Sequence, residues 1–134
     1  MIKFTIPGEP VAKGRPRVTK TGIAYTPKKT KDYETLVQEI YFSTFGQTMI
    51  TEPLTMHINA YFKIPKTASK KKKEQMLQGI IRPVKKPDCD NIVKSIADAL
   101  NNIAYEDDKQ LVRVSIDKFY SDTPRAEVIL EKLE

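Results

Sequence analysis

"PDCDNIVKSIADALNNIAYEDDKQLV", residues 87–112, runs from one acidic cluster through an apolar-periodic stretch to a second acidic cluster and the start of a strand. At 100° per residue, Ile92, Val93, Ile96, Leu100 and Ile103 share one stripe, which predicts a helix from about Asp90 to Asn102. Asp90, Lys94 and Asn101 fall nearly opposite that stripe, with Asp98 at the edge of the polar face. Asp88 precedes the helix in an extended segment after Pro87, where residues two apart project to the same side. Asp88 and Asp90 are therefore expected to converge, with Lys94 one turn above. Two readings of this cluster stand side by side. In the plain one, Asp90 is an N-cap, Asp88 is a solvated neighbour, and Lys94 belongs to an exposed ion pair worth ~0.3–0.5 kcal/mol. In the other, "NNIAYEDDK" turns and brings Asp107 or Asp108 back to the helix start. Three carboxylates near one lysine then suit Mg²⁺, a hard cation that takes oxygen ligands.

Around this stretch the chain reads as a single α+β domain over residues 1–134. Ile2, Phe4 and Ile6 alternate with polar residues as a strand ended by Pro7-Gly8, and "EPVAKGRPRVTKTGIAYTP" reads as a second strand or a basic arm. Thr30 is the expected N-cap of a helix whose apolar positions run from Tyr33 to Phe45, and Gly46 is its stop. The clearest strand alternates Leu54, Met56, Ile58, Ala60 and Phe62 with polar residues. Ser69 is expected to cap a short helix that turns Met76, Leu77, Ile80 and Ile81 inward. Val112, Val114 and Ile116, then Ala126, Val128 and Leu130, mark two closing strands, read as a hairpin through "SDTPR". The expected architecture is a small mixed sheet with about three helices packed on it.

Charge narrows the function. The net charge of +6 conceals an excess of 17 Lys and Arg over 6 Asp and Glu in residues 1–86, against 6 over 11 in residues 87–134. A basic first part predicts a polyanionic partner, since neutralised phosphates release counterions. Lys13, Arg15, Arg17 and Lys20 on the arm, and Lys70, Lys71, Lys72 and Lys73 on the short helix, are the candidate DNA contacts. One Cys and one His make a zinc site implausible; Cys89 reads as an apolar filler and His57 as a bystander on a strand's polar face. No GxGxxG, P-loop or Ser/His/Asp set is present. The lone cysteine, the lack of a bilayer-length apolar run and an N-terminus without a signal-peptide h-region lead to an expected cytoplasmic location.

With these residues in place, the chain resembles the RusA family of Holliday junction resolvases, small endodeoxyribonucleases common in prophages. The strongest block is "KKPDCDNIVKSIADALNNIAYEDDKQLV" at 85–112, with "IPGEPVAKGRPR" and "AYTPKKTKDYE" similar to the N-terminal blocks of its Gram-positive and phage branch. The resemblance implies that Asp88, Asp90 and Asp108 are catalytic and hold Mg²⁺, or Mn²⁺ as a substitute. It makes Lys94 the essential lysine, with Asp107 and Asp98 as less certain members. It further implies a homodimer that cuts a four-way DNA junction by paired symmetric nicks in recombination and repair. The alternatives are a metal-dependent nuclease for another DNA structure and a non-catalytic DNA-binding protein of a mobile element.

Overall fold

A computed structural model describes residues 1–133. Among these residues the elements are β1 (Ile2–Pro7), β2 (Arg17–Val18), β3 (Ala24–Tyr25), α1 (Lys28–Phe45), β4 (Leu54–Lys63), α2 (Lys70–Leu77), α3 (Cys89–Ala99), β5 (Leu111–Ser121) and β6 (Arg125–Lys132). The fold is α+β: three helices and a mixed four-stranded sheet of order β1-β6-β4-β5, with β2 and β3 in a separate small ribbon. β4 holds a central place because every second residue from Leu54 to Phe62 is buried. It pairs parallel with β5 and antiparallel with β6, while β1 closes the other edge against β6. α1 and α3 cover the apolar face through Val37, Tyr41, Ile92, Ile96 and Leu100.

The two closing strands do not form a hairpin, because β4 lies between them. Only Asp122, Thr123 and Pro124 link β5 to β6, and three extended residues reach the ~10 Å that two strand spacings require. The strand with the fullest apolar alternation takes the interior position, and its neighbours straddle it.

The helix ends show where local chemistry was reassigned. α1 begins after Pro27, and Thr30 lies buried inside its first turn. The Thr30 hydroxyl accepts from the Gly14 N–H at 2.8 Å, so it ties the N-terminal arm to α1 and leaves the helix start uncapped. Gly46 closes α1 at φ 69° with its N–H on the Phe42 carbonyl. Ser69 does cap α2, accepting from the Lys72 N–H. That helix ends at Leu77 with only Met76 buried; Leu77 and Ile80 are exposed, so they are not turned inward as the periodicity suggested. α3 ends three residues early, at Ala99, because Asn102 takes positive φ and the chain turns.

The Gly14 contact yields a stability prediction. A Cβ at this position would meet the Thr30 Oγ1 at 2.6 Å and the Pro27 ring at 3.0 Å. Gly14→Ala is expected to cost about 1–3 kcal/mol by urea unfolding, through overpacking and a weakened N–H bond to Thr30. An unchanged midpoint would show that the arm is not fastened to α1.

Candidate active site

α3 sets the geometry of the acidic residues. Asp88 occupies its N-cap position in extended conformation, but the carboxylate makes no capping hydrogen bond. Asp90 stands exposed in the first turn, followed at i+4 spacing by Lys94 and Asp98 on the same face. Lys94 leans toward the far end of the helix, 3.6 Å from Asp98, rather than back over the aspartate pair. Its side chain is 63% exposed, so the ion pair adds little to stability and leaves the ammonium able to meet a ligand. Cys89 is exposed in the first turn and is therefore no apolar filler.

The second acidic cluster sits at the opposite end of α3. Tyr105, fully buried, donates its hydroxyl hydrogen to the Ala97 carbonyl at 2.6 Å and pins residues 100–107 beneath the last turn. That short loop cannot travel back along the helix. Asp108 instead meets Asp98, and its carboxyl is pushed above the usual range by burial, by Asp107 and by Asp98. Eight residues at ~1.5 Å separate Asp90 from Asp98, about 12 Å along the axis. Within one chain, then, exposed Asp88 and Asp90 mark one end of a polar stripe, while half-buried Asp98 and Asp108 mark the other. Among the described residues no three His, Cys, Asp or Glu side chains form a ready-made metal cage.

The two aspartates of "EDD" have separate tasks. Asp107 caps a 3-10 turn over Asp108–Gln110, accepting from the Lys109 N–H at 2.9 Å. That backbone hydrogen bond, then contact with Asp108, lowers its pKa. Gln110 completes the turn by accepting from the Glu106 and Asp107 N–H groups and donating to the Ile50 carbonyl. With Asp107 engaged by backbone, Asp108 is the member free to face Asp98.

Lys13 is not part of an exposed arm. It lies half-buried, 2.5 Å from Glu34 of α1 and 3.3 Å from Asp98. Burial works against its charge, but Glu34 and then Asp98 outweigh it and raise the ammonium pKa. Glu34 was missed in the sequence, and only the packing of α1 on α3 makes its role visible. Arg15, Arg17 and Lys20 do stand exposed beside the β2–β3 ribbon, as do Lys70, Lys71 and Lys72 on α2; Lys73 is half-exposed. His57 joins β4 to β5 through Ser115 at 2.5 Å and also contacts Asn59. A concavity of about 700 Å³, lined by Ile50, Thr55, Arg113 and Lys132 among others, contains none of the four α3-associated aspartates. Asp88 and Asp90 stand exposed and Asp98 and Asp108 half-buried, outside that concavity.

Asp108 gives a testable pH dependence. Its folded-state pKa lies above the unfolded value, so its contribution to stability is present below the unfolded pKa and is lost as pH rises through the folded pKa. At neutral pH its charge therefore opposes folding. Asp108→Asn is expected to raise Tm by about 1–4 °C at pH 7 in EDTA, the gain fading below about pH 4. Calorimetry across that range checks it, and a lower Tm at pH 7 would show that Asp98 and Asp108 do not repel.

An α+β domain with a carboxylate- and lysine-lined helix on open surface, flanked by basic segments, has the makings of a nucleic-acid hydrolase. A sequence profile described as Endodeoxyribonuclease RusA matches residues 7–131, and the chain belongs to that family. It is thus a member of a family of endodeoxyribonucleases, hydrolases of DNA phosphodiester bonds. It is also 43% identical, over 98% of its length and 96% of the relative's, to a Bacillus subtilis (strain 168) protein described as "Uncharacterized protein YqaN". No described helix is long and apolar enough to cross a membrane.

Proposed function

We propose that the protein is a divalent-metal-dependent Holliday junction resolvase, with Asp88, Asp90, Lys94 and Asp108 as its catalytic residues. The observation that carries this reading is the Asp90–Lys94–Asp98 stripe of α3 ending against Asp108, in a chain that matches the family over nearly its whole length. The donor chemistry fits Mg²⁺, with Mn²⁺ as a substitute: all the ligands on offer are carboxylate oxygens, and Asp108 is held against Asp98 in a repulsion that a cation would relieve. When bound, such an ion supplies Lewis-acid polarisation of the phosphodiester and lowers the pKa of an attacking water.

The protein's own groups do the rest. Asp88 and Asp90 present uncommitted carboxylates at the start of α3, and Lys94 places a mobile ammonium where negative charge gathers on the reacting phosphate. Lys13 holds Asp98 in place from behind. Arg15, Arg17, Lys20 and the lysines of α2 hold the DNA arms through phosphates, with affinity that falls as salt rises.

The separation of the carboxylates favours a homodimer. A two-fold axis crossing α3 near Lys94 would lay two such helices antiparallel and set Asp88 and Asp90 of one protomer beside Asp98 and Asp108 of its partner. Two composite sites related by that axis match a substrate that itself has two-fold symmetry. The direct test incubates the protein with a synthetic four-way junction and a matched linear duplex, with and without Mg²⁺. Paired symmetric nicks on the junction alone are expected. Cleavage of the duplex at an equal rate, or product formed in EDTA, would sink the proposal.

A further inference from the structure

The segment that carries Asp88 is strapped to β5, and the fastening falls on residues that no catalytic motif contains. On β5, Val114 and Ile116 lie opposite buried Met56 and Ile58 of β4, Val114 itself staying exposed at this sheet edge, and half-buried Lys118 is next in that alternation, opposite buried Ala60. A charge at a half-buried strand position needs a partner. Lys118 finds two: its ammonium donates to the Lys85 carbonyl at 2.6 Å and the Pro87 carbonyl at 3.0 Å, while sitting 5.4 Å from the centre of the buried Phe62 ring. On the other face of the same strand, Arg82 stacks 4.0 Å over Phe119, pairs with Asp117 at 3.2 Å and donates to the Lys118 carbonyl. The strap between α2 and α3 is thus gripped from both faces of β5. Its final anchor is the carbonyl of the residue immediately before Asp88.

We infer that Lys118 is a positioning residue: through the Lys85 and Pro87 carbonyls it fixes the backbone that presents Asp88 and Asp90. Charge-assisted donors to two carbonyls two residues apart constrain direction as well as distance. A carboxylate that must meet a cation and a phosphate within a fraction of an ångström depends on that constraint. Lys118 touches neither reacting group. Its removal therefore loosens the catalytic pair without removing a DNA contact or opening the core. The inference rests on the resolvase reading for its consequence in catalysis, but the strap can be tested without it.

The test compares Lys118→Met, Lys118→Arg and Lys85→Ala with the wild type. Lys85→Ala serves as the control, because its ammonium also lies near the Phe62 ring, at 5.6 Å, while the backbone carbonyl that Lys118 grips is retained. In metal-free buffer, Lys118→Met should lower the backbone ¹⁵N order parameters of Lys85, Lys86, Asp88, Cys89 and Asp90 from rigid values of ~0.85 to below ~0.6. On a four-way junction it should lower kcat at least about tenfold and raise the Mg²⁺ concentration for half-activity, with Kd for the uncut junction within about twofold of wild type. Lys118→Arg should restore both the backbone rigidity and most of the turnover, and Lys85→Ala should leave the order parameters unchanged. Wild-type order parameters in Lys118→Met, an equal loss in Lys85→Ala, or junction binding that falls in step with turnover would each overturn the assignment. If Lys118→Met does not fold, Lys118→Gln, which keeps a neutral N–H donor group without the charge, is read by the same measurements. A wild type that cuts no junction would overturn the resolvase reading alone, and the order-parameter comparison would still decide the strap.

Discussion

Asp90→Asn is expected to reduce cleavage of a four-way junction by roughly 10²–10³-fold or more while leaving the uncut junction bound as tightly as by wild type, or more tightly. The two halves of this expectation come from the same feature. Asp90 is exposed in the first turn of α3 and makes no side-chain hydrogen bond or ion pair with any of the described residues, so the fold asks little of it. In the proposed mechanism its charge faces the bound DNA. Removing that charge would then take away a ligand for the cation and also a repulsion toward phosphate. Gel-shift titration in Ca²⁺ or EDTA measures binding, and single-turnover cleavage in Mg²⁺ measures chemistry. Unimpaired cleavage would remove Asp90 from the reaction, and loss of binding in step with cleavage would make it a DNA contact or a structural residue. Thermal unfolding guards the reading, since a freely exposed carboxylate predicts a Tm within a few degrees of wild type.

The sequence made the elements legible but left their neighbours undetermined. β1, β4, α1 and α3 follow from period-2 or helical recurrence of apolar residues, because each buries one face. The apparent hairpin failed because alternation says which face of a strand is buried and not which strand lies beside it. Asp98 was readable in principle: it follows Asp90 and Lys94 at successive i+4 steps, a stripe that spacing alone defines. The place of Asp108 was not, because it depends on buried Tyr105 fixing the loop under the last turn of α3. Lys13 looked like one more cation in a basic arm, yet the arm's attachment to Thr30 draws it inward to Glu34 and Asp98. Lys118 left a trace in following Val114 and Ile116 at period-2 spacing, but nothing in its local sequence names the carbonyls it grips.

Mixing two inactive variants should restore cutting if the sites are shared between protomers. Take Asp90→Asn on one chain and Asp108→Asn on the other. Each homodimer is expected to be inactive, since every site lacks one carboxylate. In a heterodimer whose sites join the start of α3 from one chain to Asp98 and Asp108 of its partner, one site collects both substitutions and the other collects neither. Half the sites are then intact, and the mixture should nick one strand of the junction at a readily measured rate, whereas paired symmetric nicks should remain absent. Were each chain to complete its own site, both sites of the heterodimer would stay broken and no product would form. The separation of about 12 Å along α3 between Asp90 and Asp98, which Asp108 contacts, favours the shared arrangement. Co-refolding the two variants, followed by a nicking assay on a junction labelled on each strand in turn, distinguishes the outcomes. A silent mixture with demonstrated heterodimers would rule out shared sites.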